Sequence, residues 1–181
     1  LNTLQGIDAN NKGSLAESQA RNPLFQELRV PHPLAAEIIN ELTGDDVGHV
    51  ILTGHAGDGK STLALEIIRT LRGLPPDDPI PDGLKKREAI PYGGKTISIV
   101  KDLSECTEDE RKTLVSDMFR PESTERFLIV SNTGPILTLF RDNRDRTGED
   151  VAAVEDRLPD AMDSSKRREL TFGPISFVVH N

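Results

Sequence analysis

Residues 49–62 read HVILTGHAGDGKST, and the eight at their centre, Gly54-His55-Ala56-Gly57-Asp58-Gly59-Lys60-Ser61, decide the fold. They satisfy the pattern G-x-x-x-x-G-K-[ST] in full. Chance alone would supply such a match on the order of once in a hundred chains of this length, given glycine near 7%. The context sharpens it. Val50-Ile51-Leu52 sits at the centre of an expected buried strand from Val47 to Thr53, and an expected helix runs from Lys60 to about Arg72 with Leu63, Ile67, Ile68 and Leu71 on one face. Between strand and helix, the glycines let a loop turn its N–H groups inward as an anion nest, and the helix adds the positive end of its dipole. The candidate phosphate-binding residues are Gly54, Ala56, Gly57, Asp58, Gly59, Lys60, Ser61 and Thr62. Lys60 is expected to reach β- and γ-phosphates, and the Ser61 hydroxyl to bind Mg²⁺. The plainer alternative is an ordinary glycine turn between a strand and a helix.

Outward from this loop, strand and helix patterns alternate. Upstream, His32-Pro33 opens an expected helix carrying Leu34, Ala35, Ile38, Ile39 and Leu42, closed by Gly44. Residues 1–22 are polar with weak periodicity and read as an N-terminal arm, leaving 23–181 as the core. Downstream, the proline-rich run Leu74 to Gly83 cannot continue a helix or a central strand, so residues 73–95 read as a long mobile surface connection. Further strands are expected at Thr96–Val100, Phe127–Ser131 and Ile175–Val179. Further helices are expected from the capping box Thr107-Glu108-Asp109-Glu110 to about Phe119, from Gly134 through Phe140, and from about Glu149 to Leu158. Arg141 to Asp150 reads as a charged loop. Such alternation predicts an α/β fold with a mainly parallel sheet and helices on both faces.

Composition bounds the rest. The chain has 181 residues, enough for one domain, and is 35% apolar, about 43% once its 14 glycines are counted. No apolar run approaches the roughly 20 residues of a membrane span, and no signal peptide opens the chain. A single cysteine, Cys106, excludes an internal disulfide framework and any multi-cysteine zinc site, and fits a reducing cytoplasm. His49, His55 and His180 lack metal-ligand spacing along the chain. A net charge of −8 argues against a surface that binds nucleic acid all over, although Lys85-Lys86-Arg87 and Lys166-Arg167-Arg168 could touch a phosphate backbone. The arginines at 141, 144, 146 and 157 could include a finger acting on a neighbour's nucleotide; as surface ion-pair formers they would contribute little. Leu1 and Asn181 read as cut ends of a longer protein.

The chain resembles the P-loop NTPases, and among them the additional-strand ATPases of the AAA+ and STAND type, over about residues 24–180. The resemblance implies a three-layer P-loop NTPase core with ATP and Mg²⁺ as cofactors; no guanine-reading N-K-x-D motif is present. In that group a strand after the loop helix carries an acid for Mg²⁺. Ile97-Ser98-Ile99-Val100-Lys101-Asp102 looks like it, although Lys101 interrupts the run and no glutamate follows Asp102 directly. Glu105 is the nearest acid for activating water. Asp102 could equally be a helix cap, and Glu105 a solvated turn acid. Phe127 to Gly134 resembles the sensor-1 strand, which would place Asn132 against the γ-phosphate; a turn-forming role for Asn132 is the alternative. Leu28 to Pro33 resembles the adenine-contacting stretch.

HVILTGHAGDGKST, SIVKDLSE and FLIVSNTGPI together look like the DptF-type ATPases of DNA phosphorothioation-dependent restriction systems. That resemblance implies a cytoplasmic, ATP-driven component of a bacterial defence complex, with other protein subunits as partners, possible DNA contact and no membrane. A STAND-like switch with slow turnover, a small-molecule kinase and a non-enzymatic interaction module stand as the other expectations.

Overall fold

The computed structural model describes residues 32–45, 48–55, 57–75, 85–120, 123–147, 156–157, 159–161, 167–172 and 175–181. Within them the elements are α1 (Pro33–Thr43), β1 (His49–Leu52), α2 (Lys60–Leu71), β2 (Arg87–Tyr92), β3 (Lys95–Lys101), α3 (Glu108–Met118), β4 (Glu125–Val130), α4 (Thr133–Asp142), α5 (Arg144–Thr147), β5 (Arg168–Phe172) and β6 (Ile175–His180), with a single 3-10 turn at Leu103–Glu105. The expected arm and the adenine-contacting stretch up to residue 31 lie outside the described residues, as do Ala56, Lys166, residues 76–84 and most of the expected helix at 149–158. No helix among the described residues is long and apolar enough to cross a membrane.

The six strands form one sheet in the order β2-β3-β4-β1-β6-β5. It is mixed rather than mainly parallel. β3, β4, β1 and β6 run parallel, while β2 pairs antiparallel with β3 and β5 antiparallel with β6. The correction has a local cause. Gly93 and Gly94 both take left-handed φ, at 56° and 82°. Two such residues make the tight turn that joins strands of a hairpin, and hairpin partners are antiparallel. The connection expected over 73–95 therefore holds an edge strand from Arg87. Pro91 is tolerated there because an edge strand leaves one side unpaired. Two further differences stand beside it. Arg141 and Asp142 end α4 and Arg144–Thr147 forms α5, with Asn143 a turn between them, where a charged loop was expected, and β5 lies where no strand was expected.

Both faces of the sheet are apolar, so its inner strands read as unbroken hydrophobic runs. Val50, Leu52, Ile97, Ile99, Leu128, Val130 and Val178 pack with Ile38, Leu42, Leu63, Ile67 and Leu71 of α1 and α2. Ile51, Val100, Phe127, Ile129, Phe177 and Val179 pack on the other face with Leu114, Val115 and Met118 of α3 and Ile136, Leu139 and Phe140 of α4. Helix starts are set locally. Pro33 opens α1 behind His32, whose Nδ1 accepts from the Leu34 N–H, and both bonds of the Thr107–Glu110 capping box form at α3.

Candidate functional site

Topology converges on one crevice. The chain leaving β1 enters α2 on one face of the sheet, and the chain leaving β4 enters α4 on the other. Neighbouring strands whose connections depart to opposite faces leave a cleft at their carboxyl ends, where ligands of open α/β sheets bind. Hydrogen bonds stitch four strand ends together around that cleft. Thr53 N–H donates to the His180 carbonyl (2.8 Å), Ser131 N–H to Leu52 (3.1 Å) and Asp102 N–H to Val130 (2.7 Å). Leu103 N–H donates to the Ser131 hydroxyl (3.2 Å), and the Thr53 and Thr133 hydroxyls are 3.3 Å apart.

The glycine loop lies at this point. Gly54, Gly57 and Gly59 have φ of 141°, 94° and 82°, a region that side-chain-bearing residues avoid. A Cβ on Gly54 would come within 2.9 Å of Asp58 Oδ2 and 3.3 Å of Asn181 Oδ1, whereas one on Gly57 or Gly59 would meet nothing within 4 Å. The loop is closed on one side and open on the other. Asp58 Oδ2 accepts the His55 N–H at 2.5 Å, and Lys60 Nζ donates to the His55 carbonyl at 2.5 Å, which folds the ammonium back over the loop. Gly59 caps α2 with no side-chain hydrogen bond, so side chains leave that helix start open to an anion. Ser61 is half-buried and Thr62 exposed in the first turn.

Two neighbouring strand ends supply the other sequence candidates, with different outcomes. Asn132 is exposed at the N-cap of α4, and its side chain makes no capping bond. Turn formation does not consume its carboxamide. Asp102 does act as a cap: Oδ1 accepts from the Ser104 N–H (3.0 Å) and the Ser104 hydroxyl (2.6 Å). Its backbone, at φ 53° and ψ 98°, is a sparsely populated conformation worth about 1–3 kcal/mol of strain. Strain of this kind persists where surrounding bonds over-determine it, which here come from β4. Glu105 is exposed, and its carbonyl accepts from Lys86 Nζ at 2.7 Å.

Elsewhere the charges are largely spent inside the chain. Lys86 also meets Glu110, and Arg87 bridges Asp117 (2.8 Å) and Glu125 (2.7 Å), so that triplet is not a free basic patch. Arg141 and Arg144 are exposed, Arg157 donates to the Thr171 carbonyl, and the Arg146 side chain lies outside the described residues. His180, distant in sequence from any acid that would mark a metal motif, folds onto α1. His180 Nε2 lies 2.7 Å from Glu41 Oε2, and Arg167 Nε donates to Glu41 Oε1 at 2.6 Å. Glu37, Glu41 and His180 could each offer one ligand atom, all within 4.8 Å of one another. Burial pushes the Glu41 carboxyl up, but the bonds from His180 and Arg167 outweigh it and hold the pKa below the usual value. Arg167 thus already supplies the positive charge a cation would bring. Cys106 borders a cavity of about 340 Å³ lined also by Lys86, Val100, Glu110 and Leu114, and burial pushes its thiol up.

Sequence reading missed Thr53, Ser131, Thr133, Ser104 and Asn181 as parts of this site. Only the first three adjoin the loop or the β4 end along the sequence, and position at a strand end was the available signal. No family model, curated protein or solved structure matches the chain.

Proposed function

We propose that this chain is an ATP-binding and ATP-hydrolysing domain with a three-layer P-loop core of the additional-strand type. The observation that carries the reading is one of placement. A glycine loop of full motif opens between β1 and α2, and β4, which leads into Asn132, lies directly between the loop strand and β3, which leads into Asp102. The residues suit the ligand they would hold. Gly57 and Gly59 leave open space where side chains would stand, the α2 start lacks a side-chain cap, and Ser61 and Asp102 offer the oxygen donors that Mg²⁺ prefers.

In this reading Lys60 swings from the His55 carbonyl to the β- and γ-phosphates, while loop N–H groups hold the chain of phosphates in line. Ser61 and Asp102 hold Mg²⁺, the latter directly or through water. Bound there, Mg²⁺ would supply positive charge against the negative charge that develops on the phosphates. Asn132 orients the γ-phosphate and the attacking water. Glu105, exposed at the end of the 3-10 turn, is the next glutamate along the chain and the candidate for activating that water. A slow STAND-like switch is the second reading. It is favoured by the engagement of Asp102 with Ser104 and by the exposure of Glu105, which leave hydrolysis without an evident base. The role within a cytoplasmic phosphorothioation-dependent restriction complex, with protein subunits as partners, rests on the sequence resemblance.

Equilibrium binding of a fluorescent ATP analogue tests the reading. Lys60→Ala removes charge-assisted contacts worth about 1.5–3 kcal/mol, so affinity should fall roughly tenfold or more with far-UV circular dichroism unchanged. Parent-like affinity in this variant would end the reading. Multiple-turnover phosphate release then separates the ATPase from the switch.

A further inference from the structure

Asp102 stands where β3 gives out. Lys101 still pairs with Val130 in the parallel register, and the next amide, Asp102 N–H, donates to the Val130 carbonyl at 2.7 Å. There the strand geometry ends. Asp102 has φ 53° and ψ 98°, and among the described residues it is the one non-glycine with a left-handed φ. Beyond the bend, Leu103 opens the 3-10 turn, and the first amide of such a turn has no partner inside it. Leu103 is fully buried, so bulk water does not reach it. Its N–H donates instead to the Ser131 hydroxyl at 3.2 Å, a buried bond. Ser131 is itself fixed: it is 3% exposed, and its own N–H donates to the Leu52 carbonyl of β1 at 3.1 Å. One residue thus bonds the strand leading into the glycine loop with its backbone and the turn behind Asp102 with its side chain. The bend carries the Asp102 carboxylate. Oδ1 caps the turn through the Ser104 N–H and hydroxyl, while Oδ2 accepts no hydrogen bond from the described residues. A carboxylate oxygen with free lone pairs suits Mg²⁺ or one of its waters.

We propose that Ser131 is a positioning residue for the metal: its hydroxyl holds the Leu103 amide, that amide holds the bend at Asp102, and the bend sets where Oδ2 stands relative to the glycine loop. The proposal deepens the ATP reading and rests on it. Ser131 touches neither phosphate nor cation in this scheme. Without its hydroxyl the Leu103 N–H is buried with no acceptor, and the turn is driven to shift until that amide finds one. Asp102 then relaxes toward an ordinary backbone conformation, and its carboxylate leaves the position the bend had given it. The loop N–H groups and Lys60 are untouched. The loss therefore falls on the part of nucleotide affinity that depends on Mg²⁺ and spares the part that does not.

The test titrates Mg²⁺ against a fixed concentration of fluorescent, non-hydrolysable ATP analogue and reads equilibrium binding, with binding in chelator and far-UV circular dichroism measured alongside. Ser131→Ala should raise the Mg²⁺ concentration for half-maximal binding by roughly three- to tenfold, the scale of one neutral hydrogen bond, and leave affinity in chelator within about twofold. Ser131→Thr, which keeps the hydroxyl, should restore the parent half-point. Should Ser131→Ala fail to fold, Ser131→Cys, of similar volume and with a weaker acceptor, carries the same measurement. The double-mutant cycle decides whether the effect runs through Asp102. Asp102→Asn keeps a capping oxygen and tolerates the bend, so adding Ser131→Ala to it should move the half-point no further. An unchanged half-point in Ser131→Ala, or an equal shift in the Asp102→Asn background, would overturn this proposal and leave the ATP reading standing. A parent that binds no nucleotide, or binds it without response to Mg²⁺, would instead overturn the reading of the site and this proposal with it.

Discussion

Asn132 stands where β4 has just ended and α4 has not yet begun, with an extended backbone at φ −71° and ψ 159°. Asparagine at an N-cap ordinarily turns its side chain inward to the helix N–H groups. Here it does not, which leaves an amide donor at the cleft. Asn132→Ala should therefore leave ADP affinity within about twofold of the parent, while single-turnover hydrolysis falls by roughly a hundred- to a thousandfold, the scale of losing one positioned donor. Equal losses for ADP and ATP would make Asn132 a structural turn residue. At this scale the sequence was unevenly legible. Lys60 and the glycines announce themselves because their spacing is a covalent fact of the chain. The capping role of Asp102 was visible as an alternative, since an aspartate two residues before a serine N–H is a local event. The Glu41–His180–Arg167 cluster was not legible, because its members are brought together from residues 41, 167 and 180 by the closing of the sheet.

At the scale of elements, the hairpin β2–β3 was readable and was misread. Gly93-Gly94 between Arg87–Tyr92 and Lys95–Lys101 is a two-residue hairpin signal, but the prolines upstream drew the connection too far. β5 gave a fainter trace: Leu170 is the one buried apolar residue among its described side chains, too little for a periodicity. What anchors β2 is electrostatic as well as apolar. Arg87 spans to Asp117 of α3 and Glu125 of β4, lies 5.0 Å over the Phe127 ring, and shares Glu125 with the Ser98 hydroxyl. Burial alone would lower the Arg87 pKa, and the two carboxylates raise it above the usual value. Arg87→Met keeps the stem and removes both pairs. Urea unfolding should show a loss of about 2 kcal/mol, since Glu125 is left half-buried with only a hydroxyl partner. Lys112→Met, which breaks the exposed pair with Glu108, should cost under about 0.5 kcal/mol. Equal effects for the two would mean that the Arg87 cluster contributes no more than an exposed helix pair.

For the whole molecule, the sheet order and the buried polar groups set the response to acid. His49 lies at the meeting of β1, β4, β6 and α3, where its ring packs 5.3 Å from those of both Phe127 and Phe177. Its Nδ1 accepts the Phe127 N–H and its Nε2 lies 3.0 Å from the Met118 carbonyl, a pair of bonds that requires the neutral tautomer with the proton on Nε2. Burial pushes its pKa down to about 4, against the upward pull of the Met118 carbonyl. The sign follows from proton counting. Between an unfolded-state value near 6.5 and the folded value near 4, the unfolded chain binds the extra proton, so stability falls as pH falls across that window. At 1.36 kcal/mol per unit, the full loss is about 3 kcal/mol by pH 4. Glu41, held below its usual pKa, adds to the loss in the same direction once pH drops below about 4.5. Stability measured by urea unfolding should be flat from pH 8 to 7 and then fall steadily toward pH 4. His49→Gln can keep an acceptor for Phe127 and a donor for Met118 without a titrating ring. It should start less stable yet lose little between pH 6.5 and 4.5. A variant that keeps the parent's slope across that interval would move the acid sensitivity away from His49 and onto the carboxylates.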